Sequence, residues 1–265
     1  MQYLPNIPYP ENEKPKLALL ESLFREWHQH FASPGSGLEK EVADGMVFDG
    51  FYPHYFSQKK RILFIGREAR EIADYNYLEV LFPAYRVGKK IGNQHLDNSL
   101  FHRRMLWIAY GIINGMAAWK DIPEASEIGD TFGEANGLSF AFMNISKLSN
   151  ERETSAKADW PAINAAYALS TRGRNFIQEQ IAILEPHIVI TMNRKNYFED
   201  NLASLGKRTP IATAQQNTSF WLNSGGHRSL LIDMWHFTAW NKGDIADFYA
   251  PICDAIRRSE ASSTV

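Results

Sequence analysis

Four short apolar runs, each bounded by polar or turn-forming residues, are the clearest pattern in the chain. They span residues 61–65, 138–144, 187–192 and 229–234. Continuous apolar character over so few residues is typical of strands that are covered on both faces, as in a parallel sheet. We therefore predict that these four runs form one central, mainly parallel sheet.

Helical periodicity occupies the stretches around these runs. Apolar residues recur every three to four positions in residues 16–31, 100–119, 171–184, 196–205 and 245–258. Thr171 is a suitable N-cap for the third of these helices, and Pro186 follows its end. Strands that alternate with helices favour a three-layer α/β/α sandwich, so we predict an α/β fold with a four-stranded central sheet.

The chain is expected to form one α/β domain with additions at both ends. Residues 1–50 contain four early prolines and then the first helix, which we expect to be an N-terminal helical extension packed on the core. A Ser-, Pro- and Gly-rich turn at residues 33–37 ends that helix. Residues 51–258 form the domain itself, and the Ser-rich residues 259–265 are expected to be a flexible tail.

Composition narrows the possible functions. The 265 residues carry a formal net charge of -2, so any contact with nucleic acid must use a local basic patch. A single cysteine, Cys253, excludes an intrachain disulfide and a cysteine-based zinc cluster, which fits a reducing compartment. No apolar run is long enough to span a membrane, and the first residues do not resemble a signal peptide. We expect a soluble, cytoplasmic monomer without membrane contact.

Polar residues of the types that act in catalysis and ligand binding follow three of the predicted strands. Glu68 comes after the first, Asn144 ends the second, and His236 follows the fourth. In open α/β sheets these carboxyl ends form the ligand crevice, so the three side chains can face one small substrate. Each also has a structural interpretation, because Glu68 can pair with Arg67 at a surface loop, Asn144 can cap a turn, and a histidine among aromatic residues is often structural.

Aromatic and basic residues beside these strand ends suggest contact with a polymer. Trp240 lies four residues after His236, with Lys242 next to it, and Lys147 follows Asn144. An aromatic residue at a loop tip can insert into a base stack while a lysine contacts phosphate. The alternative is that Trp240 covers the edge of the sheet and that the lysines are simply solvated.

The order of these motifs resembles the uracil-DNA glycosylase superfamily over residues 55–255. The matching segments are Gly66-Arg67-Glu68 after the first strand, residues 143–147 (Met-Asn-Ile-Ser-Lys), residues 186–193 (Pro-His-Ile-Val-Ile-Thr-Met-Asn), and residues 234–236 (Met-Trp-His). Each motif is short, so the resemblance depends on their order and on their position at strand ends. It implies a DNA glycosylase that needs neither a metal nor an organic cofactor.

The resemblance also implies a role for individual residues. Glu68 takes the place of the carboxylate that positions water and supports the positively charged sugar, and His236 takes the place of the donor to the departing base. Asn144 takes the place of the residue that reads the base edge, and Trp240 that of the intercalating residue. The aromatic residue expected to stack on the base is Phe82, with Tyr77 and Tyr85 as alternatives.

Departures from the superfamily pattern affect the expected substrate. Ala69 replaces the usual proline, and residues 237–239 (Phe-Thr-Ala) replace the usual Pro-Ser or Pro-Ala after the histidine. Arg70 stands where uracil-specific members carry a tyrosine that excludes substituents at the pyrimidine 5 position. This change suggests a base-binding pocket that admits a polar 5-substituent, as in the glucosylated hydroxymethylcytosine that phage-defence members remove.

DNA is the expected partner, either single-stranded or as a duplex from which the base is flipped. The candidate DNA-contacting residues, besides Trp240, are Lys242, Lys147, Arg103 and Arg104, with Arg172 and Arg174 as further possibilities. We expect a monofunctional enzyme, because no lysine is placed to form a Schiff base. Two alternatives stay open: an ordinary uracil-DNA glycosylase of base-excision repair, and a non-catalytic protein that binds nucleic acid or a nucleotide.

Overall fold

The computed structural model describes residues 2–150, 160–192, 201–211 and 218–262. Within these residues the fold is mixed α/β, with a mostly parallel central sheet. The strands are β1 (Gly50–Phe51), β2 (Ile62–Gly66), β3 (Ala69–Arg70), β4 (Lys90–Ile91), β5 (Gln94–His95), β6 (Ala141–Asn144), β7 (Ser149–Asn150), β8 (Ile188–Thr191), β9 (Lys207–Pro210), β10 (Thr218–Ser224) and β11 (His227–Asp233).

The central sheet has the strand order β1-β6-β2-β8-β11-β10-β9. Its four middle strands, β6, β2, β8 and β11, are parallel to one another, and they are the four strands that the apolar runs predict. The described sheet has seven strands rather than four, because β1, β10 and β9 add antiparallel edges. Two small sheets, β3 with β7 and β4 with β5, lie outside it.

The edge strands lack the continuous apolar pattern that marks the middle ones. β1 has only two residues, and β10 alternates between buried Leu222 and half-buried Trp221. A turn at Gly225 and Gly226, both with positive φ, joins β10 to β11 as a hairpin. Alternating buried and exposed side chains that lead to a Gly-Gly pair are a hairpin signal, and this signal differs from the fully apolar runs of the middle strands.

The side chains of the middle strands point alternately into two hydrophobic clusters. Ile62 and Phe64 belong to one cluster, while Leu63 and Ile65 belong to the other. Period-two alternation places successive side chains on opposite faces of a strand, so both faces of the sheet are covered by apolar residues. This double burial explains why the buried segments of these strands are mainly apolar.

Helices contribute the apolar side chains that pack against the sheet in both hydrophobic clusters. No helix in the described ranges combines the length and apolar character needed to cross a membrane. The helices are α1 (Lys14–Phe31), α2 (Lys40–Asp44), α3 (Tyr77–Pro83), α4 (Leu100–Ile113), α5 (Ala125–Asp130), α6 (Trp160–Thr171), α7 (Phe176–Leu184), α8 (Asn201–Ser204) and α9 (Ala250–Ser262), with π-helical turns at Ala84–Gly88 and Asp244–Tyr249.

Helix α1 is part of the core on one face of the sheet. Trp27 is fully buried, stacks on Phe176 of α7 with ring centroids 5.3 Å apart, and donates a 3.1 Å hydrogen bond to the hydroxyl of Ser170 on α6. Its bounds agree closely with the predicted helix over residues 16–31. The helix therefore buries its apolar stripe in the same cluster as β2 and β8.

Other helix bounds differ from the predicted ones. Helix α4 ends at Ile113 rather than at residue 119, because Gly115 has a positive φ and turns the chain. Residues 171–184 do not form one helix: Thr171 ends α6, and the side chain of Asn175 caps α7 by accepting from the backbone N–H of Gln178. The last helix continues to Ser262, four residues past its predicted end. Of the predicted helix over 196–205, residues 196–200 lie outside the described ranges, as does residue 193 of the third matching segment.

Candidate active site

A cleft of about 920 Å³ lies where the parallel strands β2, β6 and β11 end. This volume is near the upper end of the roughly 300–1,000 Å³ that is common for small-molecule sites. Glu68, Asn144 and His236 all line it, although they are widely separated along the chain. The structure therefore brings together the three side chains that the strand-end argument selects.

Asn144 is held across the end of β2. It is 1% exposed and pairs in register with Gly66, whose missing side chain leaves room for its carboxamide. Its backbone N–H donates a 2.8 Å hydrogen bond to Asp49. Its side-chain Nδ2 is buried and has no hydrogen-bond partner in the described part of the chain. A buried amide left unpaired costs about 1–3 kcal/mol, and Asn144 lines the cleft, so a ligand that accepts a hydrogen bond from Nδ2 would recover this cost.

A buried ion pair lies behind Asn144, and it corrects the predicted role of Lys147. Both carboxylate oxygens of Asp49 accept from Lys147, at 2.7 and 2.8 Å, and Gln180 donates to the same group at 2.7 Å. Lys147 is fully buried and lies over the rings of Trp27 and Phe24. It cannot reach a phosphate, and it instead fixes the turn that follows β6.

Glu68 projects into the cleft next to a neighbouring guanidinium. Its side chain is only 3% exposed, and both of its oxygens accept hydrogen bonds from Arg67, one of them at 2.8 Å. The guanidinium of Arg67 lies 4.4 Å from the ring centre of Trp160 on α6. A carboxylate has about four acceptor positions, so the two bonds from Arg67 leave room for a water molecule or a ligand.

His236 is a neutral hydrogen-bond donor. Its Nδ1 accepts from the backbone N–H of Thr238 at 3.3 Å and lies 2.7 Å from the Thr238 hydroxyl, so the ring proton is on Nε2. Burial, helped by the nearby positive charge of Arg67, lowers the pKa of His236 from 6.5 to about 4. The imidazole therefore stays uncharged at neutral pH. Its ring centre is 5.7 Å from that of Phe101 on α4.

Tyr77 and Phe142 form the stacked aromatic wall of the cleft. Their ring centres are 4.5 Å apart with an angle of 16° between the rings, and both residues line the cleft. Phe82 does not line it, because its ring packs against Tyr52 and Phe132 in the adjacent hydrophobic cluster. Of the three aromatic candidates for base stacking, the structure places Tyr77 at the cleft.

Arg104 anchors the loop that follows His236, which corrects its predicted role in DNA contact. The buried guanidinium donates to Asp244 at 2.6 Å and to the backbone carbonyls of Phe237, Ala239 and Lys242 at 2.6, 3.1 and 2.9 Å. At 2% exposure it has no surface to offer a phosphate. Its four acceptors instead fix the shape of the loop over residues 237–242.

The loop presents Trp240, which is 86% exposed at the rim of the cleft. Lys242 at its far end lies 4.7 Å from the ring centre of Trp235 and 3.7 Å from Asp247. Arg103 donates to Asp244 at 3.1 Å and lies over Trp107. The predicted phosphate contacts Lys242 and Arg103 therefore already have acidic partners.

The other basic residues considered lie in two places, at the cleft and on the surface away from it. Arg70, in β3, is exposed and lines the cleft. Lys90, in the β4–β5 hairpin, lines the same cleft. Arg174 pairs with Glu26 and Glu179, and Arg172 donates to the carbonyl of Gly35, so both belong to the helical surface near α1.

His102 is the cleft residue that sequence reasoning missed. It is 8% exposed, it lines the cleft from α4, and its Nδ1 is 2.7 Å from the hydroxyl of Tyr85. A signal was present, because His102, Arg103 and Arg104 are consecutive polar residues at the start of a helix that is otherwise mainly apolar. Polar residues on a buried helix face need partners, and here those partners are Tyr85 and the loop carbonyls.

No protein-family model matches the chain, and no curated protein matches it. What the cleft can bind and catalyse therefore has to be inferred from its own side chains. They comprise an unpaired buried amide, a shielded carboxylate, a neutral imidazole and a stacked pair of rings.

Proposed function

We propose that this protein is a monofunctional DNA glycosylase that releases a flipped, modified pyrimidine and leaves an abasic site. The observation that carries the proposal is the unpaired, buried Nδ2 of Asn144, in a cleft that also contains Glu68 and the neutral His236. The two hydrophobic clusters, which take alternate side chains of the sheet, support a three-layer α/β/α sandwich as the scaffold.

Asn144 recognises the base. Its Nδ2 donates to an acceptor on the hydrogen-bonding edge of the pyrimidine, which satisfies a donor that is otherwise buried without a partner. Tyr77 and Phe142 supply apolar ring surface for the base in the same cleft. The backbone bond from Asn144 to Asp49 fixes the carboxamide relative to the ends of the strands.

Glu68 supports the sugar during bond cleavage. The C1′–N1 bond breaks with its electron pair going to the base, so positive charge develops on the deoxyribose and negative charge on the base. The carboxylate stabilises the first charge and accepts a hydrogen bond from the water whose oxygen bonds to C1′. The proton lost by that water passes to the carboxylate or to solvent. No metal or organic cofactor takes part in this scheme.

His236 stabilises the departing base. Because Nδ1 accepts from Thr238, the Nε2–H group is the one available to donate to the oxygen on which negative charge develops. A neutral donor in a desolvated position is already oriented for this charge, and removing such a donor commonly costs about 100- to 1,000-fold in rate.

Trp240 provides the wedge for base flipping. Duplex DNA buries its glycosidic bonds, so extruding a nucleotide costs a few kcal/mol that inserted side chains partly offset. The indole is exposed, and it projects from a loop whose backbone Arg104 holds through the carbonyls of Phe237 and Ala239.

The proposed substrate is a pyrimidine with a polar 5-substituent, and glucosylated hydroxymethylcytosine in phage DNA is the example we favour. The cleft of about 920 Å³ is larger than an unsubstituted pyrimidine needs. The exposed Arg70 in its lining adds polar N–H groups that suit a polar substituent. Uracil is the alternative substrate. For the favoured substrate, the proposed biological role is defence against phage rather than base-excision repair.

One observation favours a second candidate, a non-catalytic nucleotide-binding protein. Both oxygens of Glu68 accept from Arg67, so the carboxylate is partly occupied before any ligand binds. Such a protein would bind DNA through Asn144 and Trp240 without cleaving it.

The experiment that separates the two candidates measures binding and cleavage on the same oligonucleotides. Glu68→Gln is expected to lower the single-turnover rate of abasic-site formation by at least about 100-fold and to change the Kd by less than about threefold. Glu41→Gln, at an exposed position on α2, is the control that keeps the wild-type rate. Binding by the wild-type protein without any abasic sites, across all the modified pyrimidines tested, would instead support the non-catalytic candidate.

A further inference from the structure

His102 and Tyr85 form a buried, uncharged pair in the wall of the cleft. Tyr85 is fully buried, and its hydroxyl is 2.7 Å from Nδ1 of His102. Desolvation lowers the pKa of His102 to about 3 and raises the pKa of Tyr85 well above its ordinary value. Both side chains are therefore neutral over the whole physiological range of pH.

We assign the proton of His102 from the relative acidities of the two paired groups. A phenol is the stronger acid and an imidazole nitrogen the better acceptor, so the Tyr85 hydroxyl donates to Nδ1. The proton is then on Nε2, for which the described residues provide no hydrogen-bond partner. This leaves an N–H donor on a residue that lines the cleft.

The position of His102 is distinct from that of the groups assigned to the base and the sugar. The ring of Phe101 contacts both imidazoles, with its centre 5.1 Å from that of His102 and 5.7 Å from that of His236. The β4–β5 hairpin contributes Lys90 and Ile91 to the same lining. The cleft therefore has a second hydrogen-bonding side chain, His102 on α4, in addition to His236.

We propose that the Nε2–H of His102 binds an uncharged oxygen, either a hydroxyl or a carbonyl, that the base carries on a substituent outside its ring. The inference rests on the proposed function and adds a specificity-determining residue to it. A neutral donor fits a neutral acceptor, because the imidazole itself offers no charge to compensate a desolvated anion. A substituent without oxygen would leave the N–H unpaired, which is how polar sites reject apolar analogues.

The test compares two substituents of nearly the same size and shape. DNA containing 5-hydroxymethylcytosine is compared with DNA containing 5-ethylcytosine, using the Glu68→Gln protein so that turnover does not interfere with binding. We expect the hydroxymethyl DNA to bind at least about fivefold more tightly. His102→Leu should abolish this preference, whereas His102→Gln, which keeps an N–H near the position of Nε2, should retain at least half of it.

The outcomes separate the two levels of the proposal. The inference is overturned if the preference for hydroxymethyl over ethyl DNA persists in His102→Leu. It is also overturned if Glu68→Gln, as the sole substitution, shows no such preference. Both results count against the contact even when the wild-type protein forms abasic sites. Absence of abasic sites together with a His102-dependent preference would overturn the glycosylase assignment but not the contact itself. If both His102 variants fail to fold, Tyr85→Phe replaces them. It is expected to reduce the preference at least about twofold because Nδ1 loses its donor, and an unchanged preference counts against the inference.

Discussion

A Cβ atom at position 66 would lie 2.7 Å from Oδ1 of Asn144, closer than such contacts normally allow. The same Cβ would lie 2.8 Å from the ring of Phe142. The carboxamide of Asn144 and the aromatic wall therefore depend on the missing side chain of Gly66. The glycine in the first matching segment is explained by this close approach across two parallel strands rather than by an unusual backbone conformation.

Gly66→Ala is expected to displace the Asn144 carboxamide and lower the rate of base release by at least about tenfold, because catalysis is sensitive to displacements of about 1 Å. Single-turnover cleavage of the best substrate measures the effect. Gly35→Ala is the matched control, since no atom lies within 4 Å of a Cβ there. Wild-type activity in Gly66→Ala would mean that the position of Asn144 is not critical.

The pH dependence of activity should reflect the lowered pKa of His236. Its folded value of about 4 is below the ordinary 6.5, so the imidazole remains neutral until the solution is much more acidic than usual for histidine. The single-turnover rate at pH 5.5 should therefore be within about twofold of that at pH 7.5. A rate that halves near pH 6.5 as the pH falls would show that His236 titrates normally and would argue against its assigned environment.

Arg104→Lys is expected to lower the free energy of unfolding by about 2–4 kcal/mol, because lysine cannot satisfy Asp244 and three carbonyls together. Activity on duplex DNA should fall as the loop over residues 237–242 loses its shape. Urea denaturation measures the first effect. Arg103→Lys, at the adjacent and more exposed position, is the control and should cost less than about 1 kcal/mol.

Trp240→Ala should affect duplex and single-stranded substrates differently. Loss of the wedge is expected to slow base release from duplex DNA by at least about tenfold and from single-stranded DNA by less than about threefold, because single-stranded DNA has no base stack to open. At 86% exposure the substitution should leave stability within about 0.5 kcal/mol of wild type. Leu19→Ala, an exposed apolar position on α1, is the control. Equal losses on both DNAs would exclude a role in flipping.

The sequence was sufficient to predict the middle of the sheet but not its edges. β2, β6, β8 and β11 are buried on both faces, so their apolar runs are continuous and easily recognised. β10 and β9 are half-exposed, and β1 is too short for any periodic signal. The helix predicted over residues 171–184 begins too early, because α7 is capped by the side chain of Asn175 and not by Thr171, which ends α6.

For the candidate site, the sequence predicted which side chains meet at the strand ends, but it did not predict which basic side chains are buried. Glu68, Asn144 and His236 reach one cleft because parallel strands bring their carboxyl ends to one edge of the sheet. Lys147 and Arg104 were misassigned because a basic residue type does not reveal whether the side chain is buried. Their acidic partners, Asp49 and Asp244, are far away in the chain, and only the fold brings them together.

The most direct test of the account is to detect the released base. Synthetic DNAs with different modified pyrimidines, together with glucosylated phage DNA, are incubated with the wild-type protein, with Glu68→Gln and with Glu41→Gln, and the free base and the abasic sites are both quantified by mass spectrometry. The account predicts equimolar free base and abasic sites from at least one 5-substituted pyrimidine, produced by the wild-type and Glu41→Gln proteins and at least about 100-fold more slowly by Glu68→Gln. No free base from any of these DNAs, or release that is unaffected by Glu68→Gln, would contradict it.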